Sequence, residues 1–303
     1  MSVTLACVGV VVLDEVFRVD ALPCGDGKYF ARDLLERGGG MAATAAVAAA
    51  RLGGAVSFHG RVGDDEAGRR LLAALAAHDV DAGGCRVCAG ARTGRSAVML
   101  GPGGERMIVV HADRRLDPDA SWLPLERILG ARAVLADIRW LDGARAVLAA
   151  MRAKGGIAVL DADVTDEAGA AEALAAATHI VFSDAGLRRL AADDDTGRAL
   201  RAVAERTGAA VAVTLGSRGC CWLDSGRLRR LPAVQVGARD TLGAGDVFHG
   251  AFALGLAEGM GMDAALRFAT AAAGAKCMRS DGWDGMPARD EVEAMMRGLE
   301  VQP

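Results

Sequence analysis

Aromatic residues are scarce in this chain. They make up 4% of its 303 positions, with a single tyrosine. A core with so few rings has to be closed by small and branched side chains. Alanine and glycine are abundant in their place, which suits helices packed tightly on a sheet. Positive charge is not in excess either: 35 lysines and arginines stand against 39 acidic residues, a formal net charge of −4. No basic footprint therefore argues for a nucleic-acid partner. No apolar run reaches the roughly 18 residues of a membrane-spanning helix, so no membrane partner is expected. The N-terminal MSVTLACVGVVVLD is apolar but lacks a basic start and a cleavage site, so it reads as a buried strand and a cytoplasmic location is expected. Seven cysteines form no even framework: Cys85 and Cys88 make one C-x-x-C without a second pair, and Cys220 and Cys221 are adjacent. Free thiols in a reducing compartment are expected rather than disulfides or a metal centre. No G-x-G-x-x-G follows the first apolar run, which argues against a nicotinamide dehydrogenase. There is no repeat of fixed period and no low-complexity linker.

The hydrophobic fraction is 52%, ample for a large core, and the length suits one large α/β domain or two small ones. Strand-like and helix-like stretches alternate: 56–62 then 66–77, 133–137 then 142–154, 157–161 then 167–176, 179–182 then 185–191, and helix 197–207 before strand 209–214. That alternation predicts a mostly parallel sheet with helices on both faces. Val3 to Leu13 reads as one strand buried on both faces. Asp14 follows it, beyond the carboxyl end of a strand, where open α/β sheets bind ligands. Segments 16–22 with 28–35, and 96–100 with 105–111, flank turn residues and predict two hairpins. Asp193, Asp194 and Asp195 read as an exposed loop and helix cap, not as a metal site.

The sequence DTLGAGD, Asp240 to Asp246, is the densest chemical signal. It follows an expected strand at 231–236 and opens an apolar helix from Ala244 to about Leu256. Gly243 and Gly245 flank Ala244, leaving an open backbone whose unpartnered N–H groups at a helix start suit a phosphate. Asp246 would then stand in the first helical turn beside that anion, placed to accept the proton of an attacking hydroxyl. The bland alternative is a glycine turn with an ordinary first-turn acid.

DTLGAGDVFHGAF resembles the C-terminal signature of the ribokinase (PfkB) family of sugar kinases, and GGGMAATAAVAAARLGG (38–54) resembles its N-terminal one. VGDDEAG (62–68) and VTLGSRG (213–219) match in type and order, so the resemblance spans nearly the whole chain. It implies a ribokinase-like α/β domain over 1–303, with a small β-sheet lid built from segments 15–37 and 94–112. It also implies a homodimer contact through the lid. Asp14, Gly39 and Gly40 would bind sugar, and Thr44 stands where the family usually has an asparagine. ATP would lie against Thr214, Gly216 and Gly219, with Ala272 and Ala275 on the small-residue wall of the adenine pocket. The family's Asn-x-x-Glu, which organises Mg2+ through water, is replaced by Ser183-Asp184-Ala185-Gly186, leaving Asp184 as a partial substitute. Asp240 would support the K+ that many relatives bind. The N–H groups of residues 242–245 would form the anion hole, and Asp246 would be the base, its pKa lowered by the helix N-terminus.

Lys28 and His111 on the lid hairpins and Arg139 past a strand end can converge on an anionic substituent, since a guanidinium fork and a lysine suit a tetrahedral oxyanion. ACVGVVVLDEV, GKYFAR, LADIRWLDGA and DVFHGA resemble the branch of the family that phosphorylates the 1-hydroxyl of 6-deoxy-6-sulfofructose. In that branch Lys28 and Arg139 would hold the sulfonate, with His111 in the place of an asparagine. The alternatives are a sugar phosphate, a neutral sugar such as fructose or ribose, and a catalytically silent nucleotide- or sugar-binding regulator.

Overall fold

The computed structural model describes residues 2–165 and 169–302. The chain begins β1 (Thr4–Val8), β2 (Val12–Arg18), β3 (Asp33–Gly39), α1 (Met41–Arg51), β4 (Ala55–His59), β5 (Arg61–Gly63) and α2 (Glu66–Ala77). It continues β6 (Val80–Asp81), β7 (Arg86–Cys88), β8 (Arg95–Leu100), β9 (Arg106–His111), α3 (Leu125–Leu129), β10 (Ala133–Asp137), α4 (Leu141–Ala153) and β11 (Ile157–Ala162). Then follow α5 (Ala170–Ala176), β12 (His179–Ser183), α6 (Asp184–Ala191), α7 (Thr196–Thr207), β13 (Ala210–Thr214), β14 (Cys220–Asp224) and β15 (Arg227–Leu231). Three helices close the chain: α8 (Ala244–Ala257), α9 (Met262–Cys277) and α10 (Arg289–Met296). The expected helix at 167–176 starts at Ala170, after a left-handed Gly169; positions 167 and 168 lie outside the described residues.

Among the described residues nine strands form the large sheet, in the order β15-β14-β13-β12-β11-β10-β1-β4-β6. Its middle is parallel, and β14 and β15 add an antiparallel edge. This is the expected mostly parallel α/β arrangement, with helices on both faces of a sheet whose central strands are apolar on both sides.

The expected single strand from Val3 to Leu13 is broken. The chain leaves the large sheet after Val8 and enters β2 of a second, four-stranded sheet, ordered β3-β2-β8-β9. The cause is Asp137, at the carboxyl end of β10. Its Oδ2 accepts from Val10 N at 2.7 Å and from Ala42 N at 3.1 Å, and its Oδ1 from Arg139 N at 2.9 Å. The backbone bends around this carboxylate, and a Cβ on Gly9 would stand 2.0 Å from it. Asp14 is consequently within β2, opposite Arg37 and Ser96, not beyond the end of a large-sheet strand.

The strand expected at 231–236 lies earlier, as β15, and ends before Pro232, which cannot continue a ladder. The strands of the first hairpin are displaced outward from their expected segments: β2 is Val12–Arg18 and β3 is Asp33–Gly39, leaving Lys28 in the connecting loop. Asp195 caps α7, accepting from Arg198 N at 2.8 Å, as its loop position suggested.

The alanine content has a spatial purpose at α1, where residues 42–49 are all buried. Gly250 of α8 lies so close that a Cβ there would come within 2.2 Å of the Ala45 carbonyl oxygen. The four-stranded sheet buries Val16, Val98 and Leu100 on one side. Met107, Ile108, Val109 and Val110 of its edge strand β9 are exposed, as are Phe30 and Leu34.

Candidate active site

Two strands and three helices meet at one narrow cleft. It is lined by Asp14 from β2, Arg37 and Gly38 from β3, Gly40 and Thr44 at the head of α1, Leu242, Gly243 and Asp246 at the head of α8, and Lys276 of α9, with Gly282, Trp283 and Met286. Its volume is about 40 Å³, where one water needs roughly 10–15 Å³. A hexose cannot enter without movement. Arg106 of β9 donates to Thr241 Oγ1 at 3.0 Å, so the four-stranded sheet touches the α8 turn in this closed arrangement.

Gly243 adopts the left-handed conformation, φ +77°, immediately before α8, a backbone that glycine takes without strain. Not every amide of the turn is open. Leu242 N donates to Asp240 Oδ1 at 2.8 Å, and Ala244 N to Thr241 O at 3.2 Å. The N–H groups of Gly243, Gly245 and Asp246 have no acceptor among the described residues. The candidate anion hole is therefore 243, 245 and 246, rather than every amide from 242 to 245. Gly245 faces open space, with nothing within 4 Å of a Cβ built on it.

Asp246 is partly exposed at the bottom of this cleft. The lowered pKa expected from the helix N-terminus is not found. Burial pushes it well above the ordinary carboxylate range, and the neighbouring charges of Asp161, Asp14, Asp137 and Asp163 push it further. A helix terminus is worth at most about 2 kcal/mol, less than desolvation with four like charges. Asp14 is also raised, by burial, against the hydrogen bond from Ser96 Oγ and the charge of Arg37. Asp137 is raised to about 6, mainly by burial, with its backbone donors opposing.

The chain contains no asparagine at all, so every amide role in the site has to pass to another residue. At Thr44 the replacement involves two residues. Trp283 Nε1 donates to Thr44 Oγ1 at 3.1 Å, leaving the hydroxyl hydrogen free for a ligand. The Trp283 ring covers Gly38, where a Cβ would come within 2.4 Å of it. Gly39 plays the same part for Asp14, whose Oδ2 would meet its Cβ at 2.1 Å. Sequence reasoning missed Ser96, Arg37, Lys276 and Trp283, none of which lies in a recognisable motif.

The nucleotide-side residues fare less well. Thr214 Oγ1 donates to Phe182 O at 3.2 Å. Gly219 is required by the fold, since a Cβ would stand 1.9 Å from Leu231 O; Gly216 is open. Ala272 and Ala275 are fully buried in the core, and the outward positions near them on that helix are Ala273, Gly274 and Cys277. Asp184 is committed to Arg188 at 2.9 Å and Arg218 at 2.8 Å, so it is not a free acceptor for metal-bound water. Asp240 does not fit K+: Arg37 Nη1 lies 3.0 Å from its Oδ2, Leu242 N occupies Oδ1, and Lys276 Nζ is 4.0 Å away. Among the described residues no group of three or more His, Cys, Asp or Glu side chains could hold a metal.

The three residues expected to share an anion are not joined by any hydrogen bond or ion pair. Arg139 Nη2 bonds Asp163 Oδ2 at 2.7 Å and its Nη1 bonds Val164 O at 2.8 Å. Lys28 is in an exposed loop. His111 lines a shallow depression of about 520 Å³ with Arg92, Ala112, Asp113, Arg114 and Arg115.

An open amide turn with a carboxylate behind it, facing a second buried carboxylate across a polar cleft, suits transfer of a phosphoryl group to a hydroxyl. Comparison with known proteins agrees. The pfkB family of carbohydrate kinases matches residues 4–289, and the chain belongs to that family. It is 32% identical over 260 residues to a fructokinase of Klebsiella pneumoniae, covering 79% of this chain and 81% of that one. It is 29% identical over 259 residues to a ribokinase of Bacillus subtilis, covering 85% and 87%. A ribokinase-like crystal structure from Agrobacterium tumefaciens matches with a TM-score of 0.93 and 41% identity over 98% of both chains. Arabidopsis thaliana ribokinase, complexed with ribose and ATP, matches with a TM-score of 0.85 and 26% identity over 98% of this chain and 99% of its own. The chain is an ATP-dependent carbohydrate kinase. No described helix is long and apolar enough to cross a membrane.

Proposed function

We propose that this kinase transfers the γ-phosphate of ATP to the primary hydroxyl of a ketose bearing an anionic group, with 6-deoxy-6-sulfofructose the foremost candidate. The observation that carries the kinase chemistry is the shared cleft: Asp14, Thr44 and Asp246 face it together with the Gly243 turn. Asp14 and Thr44 would hold sugar hydroxyls. Asp246 would orient the attacking hydroxyl and take its proton. Its raised pKa makes it a better base than an ordinary carboxylate, and a loose transition state leaves positioning as its larger task. The amides of 243, 245 and 246 would stabilise charge on the transferred group. Negative charge reaching Asp246 from Asp161 fits a divalent cation, while that of Asp163 is already met by Arg139. Asp161 would help hold Mg2+ carried in with the ATP phosphates, and the ion would supply charge neutralisation there.

The anionic substituent is supported by Lys28, Arg139 and His111 in their motifs, and by the arginines beside His111. The observation favouring a neutral sugar is the Arg139–Asp163 pair, which already neutralises that guanidinium. ADP release measured against sulfofructose, fructose 6-phosphate, tagatose 6-phosphate, fructose and ribose tests both readings. Preference for one anionic ketose, lost in Arg139→Ala, supports the proposal; a neutral sugar with the highest kcat/KM refutes it. ATP binding without turnover on any sugar would favour a regulator.

The exposed apolar row on β9 and an open sheet edge support a homodimer through the four-stranded sheet, which would act as a lid.

A further inference from the structure

Lys276 is the anomaly of α9. Its helix packs alanines into the core, yet this lysine is 1% exposed. Its Nζ donates to Asp240 O at 3.3 Å and lies 4.0 Å from Asp240 Oδ2. An ammonium has three donors, and the other two have no acceptor among the described residues. Asp240 is equally buried and already holds Arg37. Arg37 in turn donates to Ser280 O at 3.3 Å and keeps a buried Nη2 without a partner. Two cations thus share one carboxylate beside the 241–245 turn, and Lys276 also lies in the field of Asp246. Burial pulls the Lys276 pKa down, and the Asp240 charge opposes that. A buried ion pair seldom improves stability over apolar packing, so stability alone does not account for a second cation here.

We propose that Lys276 is a built-in cation: its ammonium, seated against Asp240 beneath the 241–245 turn, takes the role of an alkali-metal ion and frees phosphoryl transfer from dependence on one. This rests on the reading of that turn as the phosphate-facing site. Lys276 acts through the turn and is a positioning residue. Asp240 O and Oδ2, the oxygens a metal ion would need, already face Nζ. The fixed charge strengthens the pull of the 243, 245 and 246 amides on the transferred group without a binding step.

Two measurements on the full chain decide the matter. The first is anomalous scattering from crystals soaked in rubidium chloride, which needs neither substrate nor turnover. No rubidium beside Asp240 in the wild type and a bound ion there in Lys276→Ala is the expected result. Rubidium at Asp240 in the wild type overturns the proposal, whatever the fate of the variant. The second is kcat in potassium, sodium and tetramethylammonium chloride on whichever sugar turns over. Wild-type rates should agree within about twofold. Lys276→Ala should lose roughly 10-fold in kcat, less than the about 10²-fold loss of a direct oxyanion donor, with sugar KM little changed. Potassium or ammonium should restore most of it and tetramethylammonium none. Potassium activation of the wild type above about fivefold, or a folded Lys276→Ala with unchanged kcat in every salt, overturns the proposal. Absence of turnover on all sugars would refute the substrate reading while the rubidium result still stands.

Discussion

Asp246→Asn separates chemistry from stability in one substitution. The side chain keeps its shape and loses its charge. If Asp246 is the base, kcat falls by about 10² to 10⁴, or roughly 2.7 to 5.5 kcal/mol of barrier, while sugar KM changes little. The structure predicts the opposite sign for folding. Ionised Asp246 is held against burial and the charges of Asp161, Asp14, Asp137 and Asp163, so the native state resists its ionisation. Its pKa is raised on folding. The protonated group therefore costs nothing below the ordinary carboxylate range, and stability is lost as pH rises through the raised folded value. The variant should gain about 0.5 to 2 kcal/mol at neutral pH, and the gain should vanish in acid. Wild-type kcat/KM should fall as pH drops through the raised pKa. Coupled ADP release and urea unfolding at several pH values check all three. A variant with more than about a tenth of wild-type kcat refutes the base assignment. A variant less stable than wild type at neutral pH refutes the electrostatic reasoning.

The two glycines of the turn should answer differently to alanine. Gly243→Ala places a side chain at φ +77° against Thr44 and should cost about 1 kcal/mol of stability, read by thermal melting. Gly245→Ala meets no protein atom, should leave the melting temperature within about 2 °C, and should weaken ATP turnover by crowding the phosphate. If the chain dimerises through the exposed β9 row, wild type should run as a dimer in size-exclusion mass measurement and Val109→Lys as a monomer, with the fold intact by circular dichroism; a monomeric wild type, or a variant still dimeric, would refute that interface.

The parts legible in sequence were those written locally. Strand–helix alternation anticipated β10 through β13 almost to the residue, because buried parallel strands are short apolar runs between amphipathic helices. The α8 turn was legible because its glycines and Asp246 are consecutive. Val3 to Leu13 misled because hydrophobicity does not mark the point at which a strand changes sheets; that point is fixed by Asp137, 127 residues from Val10 in sequence. Asp184 and Asp240 looked available because a sequence shows no partners, and both turn out to be engaged by arginines from other elements. Trp283 was invisible as a site residue because its meaning depends on Thr44, 239 positions away.

The close approach of α1 and α8 at Gly250 and Ala45 has a consequence for regiochemistry. One helix begins beside Thr44 and the other beside Asp246, and no side chain separates their backbones where they touch. They behave as the fixed jaws of a caliper, so opening must occur elsewhere. If Thr44 grips the sugar and Asp246 accepts the proton, the span between them is a property of backbone contact. On that reading, substitutions in the four-stranded sheet that change which sugar enters would leave unchanged which of its hydroxyls is presented to ATP.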